Sequence, residues 1–208
     1  MNHLSKKIFA SLGILIFMGL LPISCGITCN DPCGCGPEFE VKDFKITEME
    51  ALTLVGDGQQ VSPNGVYDYD LVVKGIRIKS FQTVAQAQVP DSSIPGLAYA
   101  CSPKIPQSVE NLTDIKIINL QEFVAPDGKT YGTGDDLSHF FGMNYYFEEG
   151  TDSIEDFLEG TLELYPDDLF KLAWLVEPKE ELNLKFTIRV QLENGLEFAL
   201  TDEILNIR

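Results

Sequence analysis

The sequence predicts an all-β chain with minor α content: an antiparallel, immunoglobulin-like β-sandwich with one or two short helices and a C-terminal β-hairpin. Three observations lead there. Short apolar segments alternate with polar residues at the period of a strand, as in Leu184-Lys-Phe-Thr-Ile-Arg-Val-Gln-Leu192. Turn-forming Gly, Pro, Asn and Asp recur between these segments at close spacing. Few stretches carry the 3.6-residue apolar period of an amphipathic helix.

The chain divides into residues 1–24, a signal peptide; residues 25–39, a Cys-rich segment; and residues 40–208, the sandwich. Lys6 and Lys7 form a basic n-region, and Ile8 to Ile23 carries no charge. The apolar run contains Pro22 and falls short of the roughly 20 residues a bilayer span requires. Leu21-Pro-Ile-Ser-Cys25 resembles the bacterial lipobox, in which the cysteine thiol takes a diacylglycerol before cleavage. It departs from that pattern in placing Pro22 where a Leu is usual. The expectation is lipidation at Cys25.

Residues 26–38 hold three Cys, three Gly and two Pro, a mixture that neither helix nor ladder accommodates. A dozen residues reach at most ~40 Å when fully extended, so the globular part should lie near the membrane surface. From Val41 the chain becomes β-like: Phe44, Ile46, Leu52, Leu54 and Val55 precede a Gly56-Asp-Gly58 turn, and Pro63-Asn-Gly65 marks another. Tyr67, Tyr69 and Leu71 alternate with Asp68 and Asp70 as a strand, followed by Ile76 and Ile78. Gly75 within that pattern suggests a bulge. Gln82 to Gln88 reads as an edge strand or loop, and the prolines between Pro90 and Pro106 leave room for a short edge segment at most.

Asp114 to Phe123 reads as the next strand, and Asp127 to Asp136 as a turn-rich loop. A helical piece over Leu137–Phe141 is expected, capped by Asp135 or Asp136, and a second over Ile154–Glu159, capped by Ser153. Leu169 to Val176 reads as a buried strand ending before Pro178. At the C-terminus a two-residue Asn194-Gly195 turn would set apolar residues against charged ones. A three-residue loop, Glu193-Asn-Gly195 with Gly195 left-handed, sets Leu192 opposite Leu196, Val190 opposite Phe198 and Ile188 opposite Leu200. The three-residue loop is therefore expected.

The whole chain has a formal charge of −17. Removing residues 1–24 takes away two lysines and no acid, leaving 184 residues with net charge −19. Such a surface repels nucleic acid, which is excluded as a partner, and it favours solubility of a tethered domain. In the oxidising environment of an exported protein, Cys29, Cys33, Cys35 and Cys101 form an even set that permits two disulfides. A Cys33–Cys35 bridge spans too few residues for unstrained geometry. Cys29–Cys33 with Cys35–Cys101, or Cys29–Cys35 with Cys33–Cys101, both remain.

From about Ala98 to its end the chain resembles a group of Bacteroidetes lipoproteins of similar length. The resemblance is carried by Ala98-Tyr-Ala-Cys-Ser-Pro103, Gly134-Asp-Asp-Leu-Ser138 and Phe186-Thr-Ile-Arg-Val190 with Gly195. It implies a β-rich extracytoplasmic domain and supplies no catalytic residue.

Candidate chemistry is sparse. His139 lies beside Phe140 and Phe141 and reads as a partly buried packing residue. The four cysteines could ligate a metal through thiolates, but export favours disulfides, so neither a metal nor a cofactor is expected. Asp135-Asp136, Glu148-Glu149 and Asp167-Asp168 read as solvated pairs without calcium-loop spacing. Gly132-x-Gly134 lacks a phosphate-loop setting. Asn111-Leu-Thr113 matches the eukaryotic glycosylation pattern, and Asp152-Ser-Ile154 looks like the O-glycosylation pattern of Bacteroidetes envelope proteins, although Ser153 reads better as a helix cap. The functional expectation is a non-enzymatic binding or structural accessory module of the cell envelope. It would be lipid-anchored at the outer membrane, with an envelope protein or glycan as partner. The alternative is an enzyme acting on envelope polysaccharide through paired carboxylates.

Overall fold

The computed structural model describes residues 43–84, 105–159 and 162–208. The expectations for Cys25, Cys29, Cys33, Cys35 and Cys101, the signal peptide and the proline-rich stretch up to Lys104 lie outside the described residues.

Seven strands carry the architecture: β1 (Phe44–Val55), β4 (Val72–Thr83), β5 (Leu112–Asn119), β8 (Phe141–Tyr145), β10 (Leu169–Trp174), β11 (Leu182–Leu192) and β12 (Glu197–Ile207). Two-residue strands fill the connections: β2 (Gln59–Gln60), β3 (Val66–Tyr67), β6 (Phe123–Val124), β7 (Thr130–Tyr131) and β9 (Asp152–Ser153). One sheet runs β2-β1-β4-β10-β8-β9, the other β3-β12-β11-β5. Lettering the seven long strands A to G in chain order gives A-B-E-D in the first sheet and C-F-G in the second. That is the strand order of a constant-type immunoglobulin sandwich. The immunoglobulin-like expectation thus holds at the level of topology. The usual markers differ: Ile76 on B and Phe186 on F are core side chains, and Trp174 closes strand E rather than sitting on C.

Period-two burial builds the interior. Leu184, Phe186, Ile188, Val190 and Leu192 point from β11 toward Ile76, Met143, Phe170 and Leu172 of the facing sheet, all of them 1% exposed or less. Phe141 and Phe186 meet across the layers, ring centroids 5.5 Å apart. Burying an aromatic or aliphatic side chain of this kind contributes about 1.5–3 kcal/mol. At one end of the sandwich Trp174 stacks on Phe140 at 4.9 Å and takes the edge of Phe141 at 5.4 Å.

The C-terminal hairpin has the expected register. Val190 faces Phe198, Ile188 faces Leu200, and Leu192 N–H donates to Leu196 O at 2.8 Å. Gly195 has φ +82°, the left-handed conformation that the three-residue loop requires. Asn194 completes the turn: its Oδ1 accepts Leu196 N–H at 2.8 Å, and its Nδ2 donates to Glu110 Oε1 at 3.2 Å.

Several expectations are corrected. Tyr67 to Leu71 is not a strand. Only Val66–Tyr67 forms a strand, in parallel with Asn206–Ile207; Tyr69 N–H still donates to Arg208 O at 3.2 Å, and Leu71 N–H and Val72 N–H then return to Asp68 O in a turn. Gly75 is not a bulge. It sits in a regular register opposite Leu52, and the β1–β4 irregularities fall around Glu48. A Cβ at Gly75 would lie 2.5 Å from Leu54 Cδ1, so the glycine serves side-chain packing across the sheet. The strand read as Asp114–Phe123 begins at Leu112 and ends at Asn119, whose buried side chain donates to Tyr131 O and Gly132 O. Phe123 pairs instead with Tyr131 in the β6–β7 hairpin, whose second strand lies inside the stretch read as loop. The strand read to Val176 stops at Trp174, and Leu175 is exposed.

The two helices are shorter than expected. Ser138–Phe140 is a single 3-10 turn, after which Phe141 enters β8. Asp136 Oδ1 accepts Ser138 N–H at 2.8 Å, whereas Asp135 Oδ2 closes the preceding turn on Gly132 N–H at 2.7 Å. The second helix, α1 (Ile154–Phe157), is capped by Ser153 as expected, its Oγ accepting Asp156 N–H at 3.0 Å.

Candidate functional site

The space between the two sheets is filled by buried side chains, so the open surface lies outside it. β5 pairs with β11 on one side only. On its other side Ile117 N–H donates to Ser138 Oγ at 3.0 Å and Ile117 O accepts Leu137 N–H at 2.7 Å. At the far end Leu112 N–H donates to Leu162 O at 3.1 Å. Between these anchors lies an open groove of about 560 Å³, bounded by Asp114, Asp136, Glu155 and Glu159, with the buried Ile115 and Ile154 beneath it. The register from Ile117 to Ile115 is unbroken, the one β5–β11 irregularity falling at Gln191/Leu192. Strand alternation therefore turns the N–H and C=O of Ile115 outward like those of Ile117. Ile115 is 1% exposed, so the neighbouring chain covers these groups.

The groove is acidic. Lys116 Nζ stands 3.6 Å from Asp114 Oδ2 and is the only cation on its rim among the described residues. Asp136 and Asp156 are occupied by local hydrogen bonds: Asp156 accepts from Ser153 Oγ at 2.6 Å. Glu155 and Glu159 have no partner among the described residues. The sequence supplies each component, the acidic first turn of α1 and the alternation of β5. It does not supply their adjacency, which arises because the β8-to-β10 connection passes beside the sandwich edge.

A second group lies within the fold. Lys74 is 1% exposed and points between the sheets, its Nζ 3.0 Å from Thr53 Oγ1 and 2.5 Å from Glu203 Oε2. A bulge in β12 delivers Glu203 there. Asp202 has φ +57°, and the register slips by one between Phe186 and Ile188. Upstream of the slip Phe198 and Leu200 face inward; downstream Glu203, Leu205 and Ile207 do. Aspartate is among the residues that tolerate this conformation. The signal was legible in retrospect: apolar residues are even-numbered at 198 and 200 and odd-numbered at 205 and 207.

Three of the six paired acids, Asp135, Asp136 and Asp168, close turns. Asp168 Oδ2 accepts Tyr165 N–H at 2.7 Å while Asp168 N–H returns to Tyr165 O at 3.2 Å. Burial raises the Asp168 carboxyl above its ordinary value; Asp167 adds to this and the Tyr165 N–H opposes it. Tyr165 Oη donates to Glu163 Oε2 at 2.8 Å. Neither Glu163 nor Asp168 lines the β5 groove. His139 is exposed rather than partly buried, though it keeps its aromatic setting against Phe140 at 4.1 Å and Tyr131 Oη at 3.2 Å. Among the described residues no three His, Cys, Asp or Glu side chains are grouped to hold a metal ion. The Asn111-Leu-Thr113 pattern is structurally engaged: Asn111 Nδ2 donates to Glu193 Oε2 at 2.8 Å, Leu112 is buried, and Thr113 Oγ1 donates to Gln191 O.

No family model matches the chain, and no curated protein matches it. Among solved structures it is similar to the C-terminal domain of the Streptococcus agalactiae AgI/II polypeptide BspA, at 15% identity and a TM-score of 0.29, over 77% of this chain and 49% of that one. It is similar also to the C-terminal domain of the Streptococcus pyogenes antigen I/II-family protein AspA, at 14% identity and a TM-score of 0.27, over 78% and 46%. The chain spans about half the length of these structures.

Proposed function

We propose that this chain is a lipid-anchored module of the cell envelope that binds or supports another envelope component without catalysing a reaction. The observation that carries the reading is the sandwich itself. Its interior is packed with apolar side chains, and beside β5 it offers an open groove bounded by the carboxylates of Asp114, Asp136, Glu155 and Glu159, a surface suited to meeting a partner of opposite charge. The anchor part of the proposal rests on the Ser24-Cys25 leader pattern. The enzyme alternative calls for two carboxyl groups facing each other across a cleft, one of them with a raised pKa. Asp168 meets the second condition only, because its carboxyl closes a turn on Tyr165.

Crosslinking in intact cells followed by co-purification tests the binding role: a reproducible envelope partner is expected, and its absence together with turnover of an envelope glycan would overturn the reading. Cys25→Ser tests the anchor, which should then leave the membrane fraction or persist as an uncleaved precursor. A processed, lipid-free Cys25→Ser protein that still partitions into detergent like wild type would refute lipid anchoring.

A further inference from the structure

We infer that Asn194 is a site of spontaneous deamidation, held back by the folded hairpin loop, and that its conversion to an acid unfastens the loop from Glu110. The inference concerns covalent ageing of the chain and does not depend on the binding role.

The sequence supplies the reactive pair. Asn followed by Gly occurs twice, at Asn64-Gly65 and Asn194-Gly195. Glycine has no side chain to shield its backbone nitrogen and leaves the backbone free to rotate, so that nitrogen can reach the preceding Asn amide. In the first step Gly195 N attacks Asn194 Cγ. The N–Cγ bond forms, the Cγ–Nδ2 bond breaks, and ammonia leaves carrying the Gly195 amide proton. Water then adds to either carbonyl of the five-membered imide and breaks one of its C–N bonds. The product is aspartate or isoaspartate, the latter with the main chain routed through the side chain.

The structure sets the two pairs apart. Each glycine N–H is engaged in a turn, Gly195 with Leu192 O at 2.9 Å and Gly65 with Ser62 O at 3.1 Å. Both asparagines are exposed, so water reaches either one. Only Asn194 has its side chain fastened: Oδ1 accepts Leu196 N–H at 2.8 Å, and Nδ2 donates to Glu110 Oε1 at 3.2 Å. The Asn64 side chain makes no hydrogen bond among the described residues. Ring closure at Asn194 consumes both the Gly195 N–H and Nδ2, so the bonds to Leu192 and Glu110 are lost as the imide forms.

Glu110 gives the conversion its consequence. It is 9% exposed, its Oε2 is buried without a hydrogen bond among the described residues, and its Oε1 is held by Asn194 Nδ2. An acid at position 194 brings no N–H and sets a second carboxyl group beside the first, where like charges repel. Glu193 of the same loop meets the neighbouring Asn111, whose Nδ2 donates to its Oε2 at 2.8 Å. A third acid would thus join Glu110 and Glu193 where residues 110–111 meet the loop.

The test ages the full chain in detergent at mildly alkaline pH, with and without urea. Peptide mapping that separates Asn, Asp and isoaspartate follows both Asn-Gly pairs. In urea the two should convert at similar rates. Without urea Asn194 should be slowed about tenfold more than Asn64, the scale of two additional hydrogen bonds of ordinary net strength. Equal slowing at both pairs, or conversion of Asn194 as fast in the fold as in urea, would overturn the inference. Asn194→Asp makes the product directly and should lower Tm by about 2–4 °C, the shift for losing one hydrogen bond in a domain of this size. In a Glu110→Gln chain the new amide can donate to that acid, and the same replacement should shift Tm less. An Asn194→Asp protein as stable as wild type, or one equally destabilised in both backgrounds, would show that Glu110 does not fasten the loop and would also overturn the inference.

Discussion

Removing the carboxylate of Glu203 should expose how the two sheets are held in register at the bulged end of β12. Lys74 is 1% exposed and has two described side-chain partners, Thr53 Oγ1 at 3.0 Å and Glu203 Oε2 at 2.5 Å. Glu203→Ala leaves the ammonium in an apolar interior with one neutral acceptor. Breaking a buried pair by deleting one partner costs about 3–5 kcal/mol. Glu203 is itself 18% exposed, so water can reach the vacated position, and about 3 kcal/mol, the lower end of that range, is expected. For a domain of this size that corresponds to a fall in Tm of about 6–12 °C. Replacing both groups, Lys74→Met with Glu203→Leu, removes the charges together and should come within about 1 kcal/mol of wild type or exceed it. Urea denaturation of the wild type, the single variant and the double variant measures all three. A loss below about 1 kcal/mol for Glu203→Ala, or a double variant as unstable as the single, would refute the view that the buried ammonium depends on Glu203.

Other positions give independent checks. Gly195 has φ +82° and open space around its Cα, so Gly195→Val should cost about 1–3 kcal/mol from backbone strain alone, and Gly195→Asn much less; equal melting temperatures for the two would contradict the assigned loop. Gly75→Ala would press a methyl to 2.5 Å from Leu54 Cδ1 and should cost about 1–3 kcal/mol, partly relieved by Leu54→Val in the same chain; no relief would show that the contact is not the cause. Burial raises the Asp168 carboxyl in the fold from an ordinary value of 3.8, so the folded state binds the proton more readily than the unfolded one. This group's contribution therefore falls as pH climbs from 3.8 to the folded value. Asp168→Asn should flatten that part of the stability–pH curve, and an unaltered slope would count against it.

Much of the fold was legible because its determinants are local. Alternation along Leu184–Leu192 and the Glu193-Asn-Gly195 loop specify a hairpin and its register through side-chain period and one left-handed residue. Ser153 announces its helix because a cap acts within three residues. Strand ends were less legible. Nothing local distinguishes Trp174, stacked on Phe140, from Leu175, which is exposed beyond it. Tyr67 to Leu71 alternates as a strand should, yet β12 ends at Ile207 and, beyond the Tyr69 N–H bond to Arg208 O, the backbone turns back on Asp68.

The sequence by itself determined the class of fold, the closing hairpin and the acidic surface, since periodicity, turn chemistry and net charge are properties of the chain taken a few residues at a time. Only the tertiary structure decided which of those residues meet. Lys74 looks like an ordinary polar position of a strand until the sheet buries it, and Glu203 reaches it because a single left-handed Asp202 reverses the phase of β12. The β5 groove likewise combines a strand and a helical turn some forty residues apart in the chain. Pairing partners across such separations are chosen by the packing of two whole sheets, and no local pattern encodes that choice.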